Sequence, residues 1–202
     1  MIKTIIFDIG NVLIGFNWWS YITSMFPENV ARIVTDALWK NGYWEEFDRG
    51  VLPYEEIVNL MEAAAPDYKD EIRMALAHAE DSLHRYDYAI PWVKQLKEMG
   101  YQVLFLSNYS EFLMERKLEV LDFLPYMEGG LFSCHAKVIK PDRAIYEKLC
   151  EKYQLMPDEC LFIDDNLANI EAAKAFGMHG IRFEGYEKSY DVVMEYLVEQ
   201  GK

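Results

Sequence analysis

The chain has 202 residues, 51% of them apolar and 15% aromatic, and carries a formal net charge of -14. That length accommodates one full core plus an insertion, or two small domains. The charge argues against nucleic acid and anionic membranes as partners, since both demand a basic footprint, but it is compatible with a small phosphorylated molecule met locally by a metal or a lysine.

Cys134, Cys150 and Cys160 form no Cys-x-x-Cys pair and read as reduced thiols of a cytoplasmic chain. No secretory signal is expected, because the first apolar run is short and meets Asp8. No uninterrupted apolar run approaches bilayer length. Ile5, Ile6 and Phe7 form an apolar run that ends at Asp8, with the turn residues Gly10 and Asn11 just beyond. This pattern predicts a buried strand that delivers a carboxylate to its carboxyl end, where open α/β sheets bind ligands. Such an acid is a candidate nucleophile or metal ligand, and a helix-capping Asp is the plain alternative.

Residues from about 16 to 86 show little strand signal. Pro27 is placed to open a helix through Val30, Ile33, Val34 and Leu38, and Pro53 another through Ile57, Leu60 and Met61. A third is expected from about Asp67 to Leu83. The expectation is a small helical bundle whose aromatics (Trp18, Trp19, Trp39, Tyr43, Trp44, Phe47) mostly fill its core. The stretch from Tyr43 to Arg49 is short, mixed in character and bounded by Gly42 and Gly50, so Trp44 and Arg49 are candidate ligand contacts.

From Ile90 strand and helix alternate. Residues 101–106 read as a buried strand ending in Ser107 and Asn108. Residues 130–133 read as a short strand. Lys140-Pro141 precedes a helix through Ile145, Leu149 and Tyr153. Residues 160–163 form another buried strand ending in Asp164 and Asp165, and a last short strand follows at 180–183. Repeated βα units imply a parallel sheet with helices on both faces, which brings the strand ends and Lys140 to one edge.

That edge gathers carboxylates, a hydroxyl, an amide and an ammonium. Clustered carboxylates repel unless a hard cation joins them, and Mg²⁺ is held by one or two carboxylates, water and substrate phosphate. Ser107, Asn108, Lys140 and the backbone N–H groups after Asp8, beginning with that of Ile9, are candidates to hold phosphate oxygens. Asp8 is then positioned to attack phosphorus and form an aspartyl-phosphate.

On these residues the sequence resembles the haloacid dehalogenase superfamily along nearly its whole length. Asp8 in Phe7-Asp8-Ile9-Gly10-Asn11-Val12 matches the nucleophile motif, Ser107 the second motif, Lys140-Pro141 the third, and Asp164, Asp165 and Asn169 the fourth. The resemblance implies a Rossmann-like α/β core at 1–15 and 87–202 with an α-helical cap at 16–86 inserted after the first strand. It also implies a Mg²⁺ held by Asp8, the backbone carbonyl of Gly10 and Asp165, with Asp164 close by. Most phosphatases of the family carry a second Asp two residues after the nucleophile, which protonates the leaving group, and here that position is Gly10. The Asp-x-Gly-Asn-Val variant is similar to a branch that includes α-glucose-1-phosphate phosphatases. Two outcomes follow from Gly10. A bound water or a cap side chain (Glu45, Glu46, Asp48 or His84) replaces the acid, or the enzyme relies on leaving groups that need less protonation. The second fits sugar 1-phosphates and is the one expected. The function expected is a Mg²⁺-dependent phosphatase of small phosphorylated metabolites, a sugar phosphate preferred. A haloacid-type hydrolase is the runner-up and a binding-only protein the third reading.

Overall fold

In the computed structural model, which describes residues 1–200, a five-stranded parallel sheet forms the core. Its strands are β1 (Thr4–Phe7), β4 (Gln102–Ser107), β5 (Gly129–Phe132), β6 (Cys160–Asp164) and β7 (His179–Arg182), in the spatial order β5-β4-β1-β6-β7. β1 lies at the centre because its run is apolar on both faces, as a strand covered by helices on both sides requires. Alternation divides its side chains: Ile6 packs with Leu104 and Phe162 on one face, while Ile5 and Phe7 pack with Val103, Phe105 and Ile163 on the other.

Register places the chemistry. Phe7 is paired with both Phe105 and Ile163, so Asp8, just after β1, and Asp164, the last residue of β6, emerge side by side. The Asp8 N–H continues the ladder to Ile163 O at 2.8 Å.

Between β1 and the rest of the core comes the helical insertion. It contains α1 (Trp18–Met25), α2 (Glu28–Trp39), α3 (Tyr43–Arg49), α4 (Tyr54–Ala64) and α5 (Lys69–Ala77). It is carried on a two-stranded antiparallel ribbon, β2 (Ile14–Phe16) with β3 (Leu83–Arg85). The ribbon corrects the expectation of little strand in this region, and the third expected helix ends at Ala77 because Leu83 belongs to β3. Trp39 stacks on Trp44 at 4.4 Å and meets Trp18 at 4.7 Å, so these indoles fill the bundle. Trp19 does not; it is exposed beneath the Arg32 guanidinium.

The segment read as short and mixed is helix α3. Gly50 ends it with φ +64°, and a Cβ there would sit 3.0–3.1 Å from Cys134 atoms of α8 (Ser133–Ala136). Only glycine combines that backbone angle with so close an approach. The remaining helices, α6 (Ala89–Glu98), α7 (Glu111–Arg116), α9 (Arg143–Tyr153), α10 (Leu167–Phe176) and α11 (Tyr186–Gln200), complete the chain. No helix among the described residues is long and apolar enough to cross a membrane.

Candidate active site

Lys140 is the hub of the strand-end cluster. Its side chain is 1% exposed, and its Nζ donates to Asp8 Oδ1 at 2.8 Å and Asp164 Oδ2 at 2.7 Å. An ammonium so enclosed is tolerated because two carboxylates face it. Burial alone would push its pKa down, yet Asp8 and Asp164 hold it above its ordinary value. The same burial raises Asp8 to about 7, with Lys140 opposing and Asp164 and Asp165 adding repulsion.

The two aspartates of β6 differ in how they are used. Asp164 is fully buried. Its Oδ1 accepts from the Asn166 N–H (2.7 Å) and Asn169 Nδ2 (3.2 Å), and its Oδ2 from Lys140 and Asn169 Nδ2 (3.0 Å). Asp165 is partly exposed and meets Asn11 Nδ2 at 3.3 Å, while Arg182 binds only its backbone carbonyl. Burial first, then Asp164, raises the Asp165 pKa. Asp8, Asp164 and Asp165 each offer an oxygen, all within 4.8 Å of one another. Three hard donors against one ammonium fit a small divalent cation. With Asp164 saturated by hydrogen bonds, Asp8 and Asp165 are the carboxylates best placed to hold it.

The other expected contacts separate. Ser107 is buried and its hydroxyl makes one long contact, 3.5 Å to Asn108 O, which leaves it available to a ligand. Asn108 spends both ends of its amide on the Lys140 backbone, accepting from the N–H at 2.7 Å and donating to the carbonyl at 3.0 Å. It therefore positions the lysine loop. The Ile9 N–H, expected to meet phosphate, donates to Asp8 Oδ1 at 2.7 Å. Gly10 has an ordinary φ, and a Cβ there would meet nothing within 4 Å, so its backbone does not demand glycine.

Above these strand ends a cavity of about 140 Å³ lies between core and insertion. Gly10, Asn11, Asn108, Tyr109 and Leu113 line it from the core side, and Ile14, Phe16, Trp44, Asp48 and Leu83 from the ribbon and insertion. Trp44, a candidate ligand contact, lies in its wall. Arg49 is not brought there: its guanidinium is tied to Glu46 at 3.3 Å and Asp142 at 3.7 Å. Tyr109, which the sequence reading passed over, is 4% exposed and its hydroxyl has no partner. Its place one residue after Asn108 was the available signal.

This arrangement is that of a haloacid dehalogenase-like hydrolase, and the chain belongs to that family, whose model matches residues 2–177. The chain is 25% identical over 189 residues to the D-ribitol-5-phosphate phosphatase of Bacteroides thetaiotaomicron, covering 88% of this chain and 89% of that one. It is 24% identical to the drimenol cyclase drtB of Aspergillus calidoustus over 91% of this chain, but spans only 34% of that longer protein. A solved family enzyme from Bacteroides thetaiotaomicron, bt-2542 in complex with magnesium and inorganic phosphate, superposes with a TM-score of 0.70. Its identity is 20%, and the match covers 90% of this chain and 94% of that one.

Proposed function

We propose that this protein is a Mg²⁺-dependent phosphatase of small phosphorylated metabolites, with a sugar or polyol phosphate preferred, working through an aspartyl-phosphate on Asp8. The observation that carries the reading is the convergence of Asp8, Asp164 and Asp165 on Lys140 at one sheet edge. A structural role alone gives no reason to gather three acids, two of them buried, around a single lysine, since such clusters are costly unless something cationic or phosphorylated uses them. The likeness to a ribitol-phosphate phosphatase over most of both chains supports the substrate class.

The carboxylate of Asp8 supplies the nucleophile. Lys140 fixes that carboxylate's orientation and places a permanent positive charge beside the phosphoryl oxygens. The Ser107 hydroxyl, weakly partnered, is a donor for one of those oxygens. Asp8, Asp165 and the Gly10 carbonyl, with Asp164 nearby, would hold a Mg²⁺, which would supply Lewis-acid neutralisation of phosphate charge. The cavity admits a small leaving group between Trp44 and Asn108.

The test is phosphate release from a panel of phosphorylated sugars and polyols, with Mg²⁺ and with EDTA, in wild type and Asp8→Asn. Metal-dependent release that disappears in Asp8→Asn is expected. Release that persists in EDTA, or in Asp8→Asn, would sink the reading; halide release from a 2-haloacid in EDTA would put the dehalogenase in its place.

A further inference from the structure

Gly10 leaves the proposed reaction without a side chain to protonate the departing oxygen from the core. The insertion offers Glu45, Glu46, Asp48 and His84, and the structure separates them. Glu45 is exposed, and Glu46 is paired with Arg49. His84 lies across from Gly15, 3.4 Å from Asn17, and lines a different cavity with Ser20 and Tyr21. Asp48 alone lines the cavity that Gly10, Asn11 and Asn108 close from below.

We propose that Asp48 is the general acid and base of the reaction, supplied by helix α3 of the insertion in place of a core carboxyl at Gly10. The inference rests on the phosphatase reading above and deepens it.

Three further observations support it. First, α3 is fastened to the core at this residue. The Asp48 carbonyl accepts from Ser133 Oγ at 2.5 Å, and Ser133 Oγ accepts from the Tyr109 N–H at 3.0 Å. Lys137 Nζ donates to the Gly50 carbonyl, and Gly50 is seated on Cys134. A proton donor must be held in place to act, and these contacts hold this one relative to the strand ends. Second, the surroundings keep the proton on. Burial, then the charges of Glu45 and Asp8, push the Asp48 carboxyl to about 8 against the pull of Lys140. A catalytic acid works best with its pKa near the operating pH. Third, Tyr109 lines the same cavity, and its hydroxyl is buried and without a partner. Such a group is costly unless a ligand satisfies it, which marks this cavity as the leaving-group site.

The step balances as follows. The bond from Asp8 oxygen to phosphorus forms while the ester P–O bond breaks, and the Asp48 proton passes to the departing oxygen. In the second half Asp48 carboxylate takes a proton from water. The water oxygen bonds to phosphorus as the Asp8–phosphorus bond breaks. Ester and water give alcohol and phosphate, and both aspartates return to their starting states. The leaving group can therefore be an ordinary alkoxide, as in a polyol phosphate, and an activated anomeric phosphate is not required. This reverses the leaving-group dependence expected from Gly10 alone.

Single-turnover kinetics of Asp48→Asn with Mg²⁺ on two esters tests the proposal. With ribitol 5-phosphate, a poor leaving group, cleavage should fall 10²–10⁴-fold, roughly the worth of a general acid. With p-nitrophenyl phosphate the cleavage step should stay within about tenfold, because nitrophenolate leaves unprotonated. With p-nitrophenyl phosphate in excess the variant should give a burst of nitrophenolate and then slow turnover as the phosphorylated enzyme accumulates, since the base for water is gone. Glu56→Gln, exposed on the neighbouring helix α4, should show neither effect. Equal losses on both esters, or an unchanged rate on ribitol 5-phosphate, would overturn the assignment while the phosphatase reading stands. A wild type inactive on both esters with Mg²⁺ would sink the phosphatase reading and this inference with it.

Discussion

Replacing Lys140 with methionine removes one charge and leaves the chain length of the side chain nearly intact. The perturbation is severe because the Nζ bridges Asp8 at 2.8 Å and Asp164 at 2.7 Å in a place with 1% side-chain exposure. Breaking a buried pair from one side costs about 3–5 kcal/mol, since the partner charge is stranded. Two carboxylates are stranded here, so the upper part of that range applies in the absence of metal. For a domain of this size each kcal/mol moves the melting temperature by about 2–4 °C, so Lys140→Met should melt roughly 8–20 °C below wild type in EDTA. A second consequence separates the charge argument from simple loss of packing. With the ammonium gone, Asp8, Asp164 and Asp165 have no cation to face, so Mg²⁺ should raise the melting temperature of the variant more than that of wild type. A cation present at 100 times its Kd contributes about 2.7 kcal/mol, so the difference is measurable. The assay is thermal unfolding followed by circular dichroism in EDTA and across a Mg²⁺ titration. A variant that melts with wild type in EDTA, or gains no more from Mg²⁺ than wild type does, would refute the reasoning.

Three other outcomes follow from the same geometry. Asp165→Ala, which removes the less saturated carboxylate of the pair, should abolish the Mg²⁺-dependent rise in melting temperature and lower phosphate release in parallel; an unchanged Mg²⁺ response would take Asp165 out of the metal site. Trp44→Ala should reorder substrate preference and destabilise by about 3–5 kcal/mol, as truncation of a buried aromatic does, whereas Arg49→Ala should leave the ranking alone because its guanidinium faces Glu46 and Asp142. Comparing the ranking of both variants over one substrate panel decides the point. Asp48 holds its proton more tightly in the fold than in the unfolded chain, its pKa rising from 3.8 to about 8 with Glu45, Asp8, Lys140 and Tyr109 around it. Its stabilising contribution is therefore complete below pH 3.8 and lost as pH rises to about 8, so Asp48→Asn should lose less stability than wild type over that interval in urea titrations at a series of pH values. Parallel pH curves would show that the carboxyl is ionised throughout.

What the sequence makes legible is what a strand can carry by itself. Apolar runs ending in Asp8, Ser107 and Asp164 announce buried strands and their chemical ends, and the sheet's register then sets those ends side by side. The ribbon of β2 and β3 stayed hidden because three residues a strand, one of them Gly15, give no periodicity to read. Asn108 looked like a phosphate ligand because nothing local shows that its amide is consumed by the backbone of Lys140, 32 residues away. Glu45, Glu46 and Asp48 were equivalent as acids within one short stretch. They differ only in which side of α3 meets the core, and that is decided by contacts distant in sequence: Ser133 on the Asp48 carbonyl and Cys134 under Gly50. The site thus divides by origin. The groups proposed to meet phosphate and metal follow from strand register, so substitutions there should act on every substrate alike. The group proposed to meet the leaving oxygen follows from how α3 is seated, so substitutions at that seat should change which ester is cleaved before they change whether one is.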